Sequence, residues 1–507
     1  MSIITILSDL LIFLPSWLMM IISFSLYIYF TKRNSINIPG PKSYPIIGSL
    51  ISFYQNRHRL IQWYTHLLSI SPTQTIMVRR LGAPPTIITA NPSNVEYILK
   101  NNFNNYPKGK PFTEILGDFL GSGIFNVDGE LWNSQRKLAS HEFSTKSLNK
   151  FVVQVLEQEV EQRLVPLLVR ACENDIVLDL QEVFKCFAFD TICKVALGID
   201  RCSLDISHPP SPTFAGLAEA FYTAAEISAL RGAAPVSAVW KAKRALGLGS
   251  EKKLREAVES IHVTIYSIIR AKRLENEKGG EGENGDLLSR LILAGNDDEM
   301  VRDMVISFVM AGHETTSSGM TWLIWLLSEN DDVEKKLLHE MMLLEKEAEG
   351  LSFEVLKEMN YMKACLCESM RLYPPVAWDS KHAAANDILP DGTVVFKGNR
   401  VTYSAYGMGR MVELWGKDSL EFKPDRWFDE PGVLKMVSPY KFPVFHAGPR
   451  VCLGKEMALI QMKYVVASVL RRFKFRPVGL EKPVYVPLLT ACMGGGLKVR
   501  VRKRSVT

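Results

Sequence analysis

The residues best suited to chemistry lie in one short segment near the C-terminus, residues 445–454, which read FHAGPRVCLG. Its single cysteine, Cys452, directly precedes a run with helical character. A thiolate at the start of a helix faces unpaired backbone N–H groups and the positive end of the helix dipole, which favour the charged sulfur. Gly448 and Gly454 permit a tight turn and close approach of the backbone to a flat ligand. The segment predicts a thiolate that ligates the iron of a flat ligand, with Arg450 near an acidic group of that molecule. A buried structural cysteine is the alternative.

An acid and an alcohol are adjacent in the middle of a long helical pattern. Residues 296–327 are predicted to form one helix capped by Asn296, and the centre of this helix reads AGHETT. Glycine in a helix costs about 0.5–1 kcal/mol relative to alanine, and a threonine hydroxyl can divert a backbone carbonyl from the helix ladder. Gly312 and Thr315 together therefore predict a groove, in which Glu314 and Thr315 form a proton relay. A packing notch made by the glycine and the threonine is the alternative.

Two other motifs carry charge but indicate little by themselves. Glu368 and Arg371 are separated by three positions on a helix that ends before a proline pair. An exposed ion pair of this kind contributes roughly 0.3–0.5 kcal/mol. Trp132 and Arg136 are compatible with an ordinary amphipathic helix that buries one indole.

The elements that must position these residues are mostly helical. Residues 75–80 and 86–89 predict a β-hairpin, and residues 91–93 are predicted to cap a helix at 95–100. Helical periodicity then dominates to about residue 330. Beyond Asp387 the chain alternates between turns and short strands, and Asp391 with the following glycine is a strong hairpin signal. Strands are predicted at 394–396, 400–403 and 497–501. The predicted fold class is mainly α with small β-sheets.

Length and composition limit the functional classes. The 507 residues are 47% hydrophobic and 22% charged, as in an ordinary folded protein with an apolar end. The net charge of +6 and the absence of a basic tail give no sign of nucleic-acid binding. The eight cysteines are scattered without the spacing of a zinc site or a disulfide framework, which favours a reducing compartment. No glycine-rich dinucleotide fingerprint follows a predicted strand.

An apolar stretch near the N-terminus predicts a membrane anchor. Residues 11–30 contain no charged side chain, are long enough to span a bilayer, and are followed by Lys32 and Arg33. Positive charge after the span predicts that the rest of the chain stays on the cytoplasmic side. Pro15 counts against a full span, and a cleaved signal peptide is the alternative. The predicted domains are an anchor at 1–31, a basic and proline-rich hinge at 32–50, and a catalytic domain at 51–507.

These segments resemble, in the same order, the motifs of the cytochrome P450 family. The pattern Phe-x-x-Gly-x-Arg-x-Cys-x-Gly is similar to the haem-binding signature of that family, and the helical hexapeptide resembles its oxygen-activating motif. Residues 389–393, LPDGT, and 406–411, YGMGRM, resemble the plant branch that hydroxylates chain ends, the ω-hydroxylases. The resemblance implies the cytochrome P450 fold preceded by one transmembrane helix. It also implies haem b, with its iron held by a cysteine thiolate.

The resemblance also assigns residue roles. Glu314 and Thr315 are implied as catalytic residues. A structural brace is implied for Glu368, Arg371 and Arg426, in which Arg426 joins the earlier pair to support the cysteine loop. Lys381 occupies a position where many relatives have an arginine that contacts a haem propionate. Haem contacts are implied for Trp132, Arg136, Ala311, Phe445, Gly448, Arg450, Cys452 and Gly454. Substrate contacts are implied for 116–125, Phe308, Ala311, 376–379 and 488–493.

The resulting functional prediction is a haem-thiolate monooxygenase that hydroxylates the terminal or near-terminal carbon of a fatty acid or fatty-acid-like lipid. A jasmonoyl-amino-acid hydroxylase and a sterol side-chain hydroxylase are the alternatives within the class. The implied partners are O₂, a lipid-like substrate, the membrane and NADPH-cytochrome P450 reductase, with no nucleic acid. The implied location is the endoplasmic reticulum membrane, with a cytoplasmic catalytic domain. A reductase-independent haem-thiolate isomerase needs no proton relay, so Glu314 and Thr315 argue against it, and they also argue against a non-catalytic haem-binding protein.

Overall fold

A computed structural model describes most of the chain between residues 38 and 504. The described residues are 18, 20–24, 38–140, 143–144, 147, 151, 155–204, 216–277, 286–347, 350–430, 432–479 and 482–504. Within them, no helix has both the length and the apolar character that a membrane crossing requires. The predicted anchor at 1–31 lies outside the described residues apart from positions 18 and 20–24.

Helices make up most of the described structure, as predicted. They are α1 Leu50–Asn56, α2 Leu60–Ile70, α3 Pro92–Glu96, α4 Lys110–Leu120, α5 Gly129–Ser140, α6 Glu157–Glu159, α7 Val165–Glu173, α8 Leu180–Leu197, α9 Leu217–Ala233, α10 Ser237–Leu246, α11 Ser250–Glu277, α12 Leu287–Leu293, α13 Asp298–Ser328, α14 Asp331–Glu347, α15 Phe353–Glu358, α16 Asn360–Leu372, α17 Ala405–Met408, α18 Val412–Trp415 and α19 Lys455–Leu470. Short 3₁₀ or π turns occur at Arg57–Arg59, Tyr97–Asn101, Phe103–Asn105, Val160–Leu164, Pro424–Trp427, Pro443–Phe445 and Gly448–Arg450.

The strands form several small sheets. They are β1 Thr75–Val78, β2 Thr86–Thr89, β3 Val177–Asp179, β4 Asp379–His382, β5 Asp387–Ile388, β6 Val394–Val395, β7 Arg400–Tyr403, β8 Phe428–Glu430, β9 Val433–Leu434, β10 Phe473–Pro477, β11 Val484–Val486, β12 Cys492–Gly494 and β13 Lys498–Lys503. The largest sheet has the order β1-β2-β7-β4, in which only β2 and β7 are parallel. The predicted hairpin of β1 and β2 and the hairpin turn between β5 and β6 are confirmed.

The long predicted helix is present as α13, but it begins two residues later than predicted. Asp297, not Asn296, caps it, because the Asp297 carboxylate accepts a hydrogen bond from the backbone N–H of Met300 at 2.8 Å. The Asn296 side chain instead donates to the carbonyl of Leu291 at 2.8 Å. The cap predicted at 91–93 is confirmed at Asn91, but α3 begins at Pro92, three residues before the predicted start of the helix.

Helix α13 runs through the interior and positions the middle of the molecule. Helix α8 packs along it, and α16 and α19 contact it from other sides. Its C-terminal half is almost continuously buried, with Trp322 fully enclosed beside Tyr373. Because such a helix is held on several faces, its backbone is a rigid support for the side chains at its centre.

The described part of the predicted hinge lies against the first strand. The Pro39 carbonyl accepts a hydrogen bond from the N–H of Met77 at 2.8 Å. Ser49 donates its N–H to the carbonyl of Arg79 at 2.8 Å. These bonds attach the segment to β1, and the domain boundaries remain predictions.

Candidate functional site

A cavity of about 510 Å³ lies between α13, the cysteine loop and the four-stranded sheet. Each of the four predicted substrate-contact regions contributes side chains to its wall, which is mostly apolar. The predicted site residues that line it are Trp132, Arg136, Ala311, Thr315, Phe445, Arg450, Cys452 and Gly454. Gly448 and Glu314 do not line this cavity.

Cys452 presents its thiol to the cavity from a tightly folded loop. The backbone N–H of Cys452 donates to the carbonyl of Phe445 at 2.8 Å, which closes the loop across the ten-residue segment. The side chain is accessible because it opens into the cavity, while the protein on its other sides desolvates the sulfur. Burial raises the pKa of Cys452; the backbone N–H of Gly454 and the charges of Arg136 and Lys455 oppose this rise. The predicted favourable surroundings of a thiolate are therefore present, but burial outweighs them in the protein alone.

Gly448 serves the shape of the loop and not the cavity wall. It adopts φ +66°, and a Cβ at this position would lie 2.0 Å from the carbonyl oxygen of Leu99. Both the positive φ and the carbonyl oxygen of Leu99 therefore exclude a side chain at this position. At Gly454, by contrast, a Cβ would make ordinary contact with the ring of Phe143 at 3.5 Å.

The predicted brace residues meet around one buried carboxylate. Glu368 and Arg371 are both 0% exposed. Arg371 donates from Nε to Glu368 Oε2 and from Nη2 to Glu368 Oε1, each at 2.8 Å. Arg426 donates from Nε to Glu368 Oε1 at 2.7 Å. Two donors that the sequence did not indicate complete the group: the Trp427 indole at 2.9 Å and the Lys423 backbone N–H at 3.0 Å.

Aromatic packing connects this carboxylate to the cysteine loop. The Trp427 ring stands edge-on to Phe442, with ring centroids 4.8 Å apart. Phe442 directly precedes the turn Pro443–Phe445, and Phe445 holds the N–H of Cys452. The brace thus supports the loop through one indole and a few residues of backbone.

Basic side chains surround another part of the cavity. Arg136 donates to the carbonyl of Val451 at 2.7 Å, beside Cys452. Arg450 donates to the Asp128 carboxylate at 2.7 Å, and its guanidinium lies 4.5 Å from the ring centroid of Trp132. Helix α5 and the cysteine loop are therefore in direct contact, and the haem contacts of Trp132 and Arg136 stay predictions.

Asp379 organises a buried cluster that the sequence did not indicate. Lys108 Nζ lies 2.6 Å from Asp379 Oδ1, Lys381 Nζ lies 3.0 Å from Oδ2, and His446 Nε2 lies 3.1 Å from Oδ2. Burial lowers the pKa of Lys381 despite the Asp379 charge. Burial also lowers the pKa of His446 to about 4, so its imidazole is neutral at pH 7. His446 lies inside the ten-residue cysteine segment, and that position was the feature of the sequence that could have pointed to the cluster.

The centre of α13 combines a hydroxyl in the cavity wall with a close contact between helices. Thr315 Oγ1 donates to the carbonyl of Ala311 at 2.7 Å, inside the cavity wall. Gly312, however, packs against α8, where a Cβ would lie 2.7 Å from the side chain of Ile192. Gly312 also lines the cavity, so the position serves as a packing notch toward α8, and its role in opening a groove stays a prediction.

Glu314 lies behind the wall that Thr315 lines. Its carboxylate accepts a hydrogen bond from Thr490, a residue that does line the cavity. Burial raises the pKa of Glu314 to about 7, and the Lys185 charge and the Thr490 hydroxyl only partly offset the rise. The acid can therefore exchange a proton near neutral pH, with Thr490 as a further hydroxyl between it and the cavity.

Comparison with known proteins decides the family. The sequence model described as Cytochrome P450 matches residues 38–490, which is most of the chain. The chain belongs to the cytochrome P450 family. Membership confirms the predicted enzyme class, a P450 monooxygenase, and the predicted cofactor, haem with its iron held by a cysteine thiolate. P450s of this kind use O₂, a small-molecule substrate and a redox partner.

The similar relatives are plant P450s, as predicted for the ω-hydroxylase branch. Cytochrome P450 94B3 of Arabidopsis thaliana is 61% identical over 472 residues, covering 92% of each chain. Cytochrome P450 94B1 of the same plant is 60% identical over 480 residues, covering 93% of each chain. Cytochrome P450 94A1 of Vicia sativa is 46% identical over 472 residues, covering 92% of this chain and 90% of the relative.

The cavity of this P450 suits a haem group. A flat, largely apolar macrocycle matches its mostly apolar wall, and the propionates of the macrocycle match the basic side chains of Arg136 and Arg450. Of the eight cysteines, all within the described chain, Cys452 is the one that lines the cavity. Bound haem supplies the electron transfer that activates O₂, with the thiolate donating electron density. The protein excludes bulk water, orients the substrate and moves protons.

Proposed function

We propose that this P450 hydroxylates the terminal or near-terminal carbon of a fatty acid or fatty-acid-like lipid, with Cys452 as the iron ligand. The apolar cavity that extends from Cys452 past Phe308 and Leu116 to the four-stranded sheet carries the proposal. Its apolar lining suits a hydrocarbon chain whose end points toward the Cys452 side of the cavity.

Hydroxylation of a chain end depends on the geometry of the cavity and runs against the intrinsic reactivity of the substrate. The C–H bonds of a terminal methyl are stronger than those of the adjacent methylenes, so intrinsic reactivity favours the methylenes. A wall that admits the chain end first and holds the next carbons away reverses this preference. Ala311 on α13, Val376 before β4 and Leu489 near β11 are the side chains proposed for this wall.

The proposed electron donor is NADPH-cytochrome P450 reductase, and the proposed location is the endoplasmic reticulum membrane with a cytoplasmic catalytic domain. Two observations support this: the relatives are plant P450s that cover nearly the whole chain, and residues 11–30 form an uncharged stretch followed by Lys32 and Arg33. We assign haem contacts to Trp132, Arg136 and Arg450 and bracing to Glu368, Arg371 and Arg426.

Labelled oxygen tests the proposed function. The full chain, reductase, NADPH and ¹⁸O₂ are incubated with lauric acid, with a jasmonoyl-amino-acid conjugate and with a hydroxysterol, and the products are analysed by mass spectrometry. We expect one labelled oxygen on the terminal or adjacent carbon of lauric acid, and no product without NADPH. Mid-chain hydroxylation would contradict the proposal, and product formed without NADPH would indicate the isomerase.

The proton relay gives a separate prediction. Glu314→Gln and Thr315→Val are expected to lower product formation by about 100-fold while NADPH consumption continues, because proton delivery is lost but electron delivery is not. With its pKa raised to about 7, Glu314 is protonated below that pH and ionised above it. Wild-type product formation should therefore fall as pH rises through about 7, and Glu314→Gln should lose this inflection.

Product yield per NADPH, measured from pH 5.5 to 8.5, checks this prediction. Thr315→Ser keeps the hydroxyl and should stay near wild type. Glu358→Gln, on an exposed helix surface, is the matched acid control. Unchanged yield and an unchanged pH profile in Glu314→Gln would remove this residue from the relay.

A further inference from the structure

Two arginines line the cavity where it meets the four-stranded sheet. Arg80 lies two residues beyond the end of β1, and Arg400 is the first residue of β7. The strand register places them together: Thr86 of β2 is opposite both Val78 of β1 and Arg400 of β7. One corner of the sheet thus presents two guanidinium groups to a cavity that also contains Cys452.

Neither arginine has an acidic partner among the described residues. Arg400 donates from Nε to the Ser380 hydroxyl at 2.9 Å and from Nη1 to the Gly232 carbonyl at 3.4 Å. The Nε of Arg80 is buried and has no hydrogen-bond partner in the described chain. Asp379 is the acid that attracts Arg400, but its carboxylate already binds Lys108, Lys381 and His446.

The two positive charges are also desolvated. Burial and the neighbouring Arg80 charge lower the pKa of Arg400 to about 10. Burial likewise lowers the pKa of Arg80. Both guanidiniums remain charged at neutral pH, and a buried, uncompensated charge is costly unless an anion neutralises it.

Unpartnered hydroxyl groups surround the arginines. Thr86 Oγ1 and Ser228 Oγ line the same cavity and are buried without a hydrogen-bond partner in the described chain. Ser228 belongs to α9, one turn before Gly232, whose carbonyl accepts from Arg400. The Tyr64 phenol, from α2, lies near both arginines, and the residue is buried. Buried polar groups in folded proteins are normally satisfied, so this concentration points to a polar ligand.

We propose that Arg80 and Arg400 bind the carboxylate of the substrate, with the Tyr64, Thr86 and Ser228 hydroxyls close to that group. This inference rests on the proposed function and specifies its substrate class as a carboxylate-bearing lipid. Guanidinium groups bind carboxylates through two parallel hydrogen bonds, which fixes orientation as well as position. With the carboxylate held at the sheet, the apolar remainder of the substrate extends toward the Cys452 side of the cavity. The carbon farthest from the carboxylate is then the one that lies at that side. A neutral sterol leaves both charges unpaired.

Binding spectra test the assignment without relying on turnover. The shift in haem spin state is titrated in the full-length protein with lauric acid, N-lauroylglycine and the methyl ester of each. We expect wild type to bind each acid about 10- to 100-fold more tightly than its ester. Arg80→Gln and Arg400→Gln should each weaken binding of the acids by a similar factor and change ester binding by less than about threefold.

Controls separate recognition from folding. The reduced carbon-monoxide spectrum must show the same haem-thiolate band in every variant. Arg400→Lys keeps the charge and should lose less affinity than Arg400→Gln. Arg476→Gln, on an exposed position of β10, is the matched control and should leave every titration unchanged.

Two results would overturn the assignment: an acid-to-ester preference that survives both Gln variants, or no spectral shift with either acid in wild-type protein. Its failure differs from failure of the proposed function, which is read from the position of the labelled hydroxyl. A strong acid preference with mid-chain hydroxylation would support the carboxylate site and contradict terminal attack. Hydroxylation of the terminal carbon with equal affinity for acid and ester would support terminal attack and contradict the carboxylate site.

Discussion

Cys452→Ala is expected to lose monooxygenase activity completely, a larger effect than the roughly 10- to 100-fold cost of removing an outer-shell partner of a metal site. Among the cysteines, all in the described chain, Cys452 is the one that lines the cavity. No other cysteine of the described chain offers a substitute thiolate there. NADPH-dependent product formation and haem content per protein measure the effect.

Cys172→Ala is the matched control. Cys172 is half-buried in α7 and does not line the cavity, so its loss should leave activity near wild type. If Cys452→Ala retained substantial activity with stoichiometric haem, the iron ligand would have to be a different residue.

Glu368→Gln is expected to yield protein that holds little haem and unfolds at a lower temperature. The substitution keeps the shape but removes the charge that Arg371 and Arg426 share. Arg371 is 0% exposed, so its charge would be buried without compensation. Breaking a buried ion pair costs about 3–5 kcal/mol. Through Trp427 and Phe442, the loss should reach the loop that carries Cys452.

Haem content and thermal unfolding measure this prediction. Arg426→Gln should have a smaller effect, because Arg371 still neutralises Glu368 and because Arg426 is nearer the surface. Glu358→Gln is the exposed control. Normal haem content together with normal thermal unfolding in Glu368→Gln would show that the carboxylate does not support the loop.

Local sequence patterns were sufficient to predict the elements that carry the site. The strand at Arg400–Tyr403 was predicted at its observed bounds, and the hairpin of β1 and β2 was predicted from two strand-like runs separated by Gly82 and a proline pair. The start of α13 was misplaced because Asn296 and Asp297 are both good capping residues. Asn296 is instead used in a bond back to the Leu291 carbonyl, five residues earlier, which leaves Asp297 as the cap.

Local sequence patterns could not predict contacts between segments that are far apart in the sequence. Lys108, Asp379 and His446 come from three parts of the chain, and their cluster depends on how the sheet packs against the cysteine loop. The meeting of Arg80 with Arg400 depends on β2 lying between β1 and β7. A glycine in a helix indicates close approach without identifying the partner, so the contact of Gly312 with Ile192 could not be predicted.

The difference spectrum of the reduced, carbon-monoxide-bound protein tests the central claim most directly, because it reports the atom that holds the iron. We predict the long-wavelength band of a thiolate ligand in wild-type protein and in Cys172→Ala, and no such band in Cys452→Ala. A long-wavelength band in Cys452→Ala, or its absence from haem-loaded wild-type protein, would contradict the assignment of Cys452 as the iron ligand.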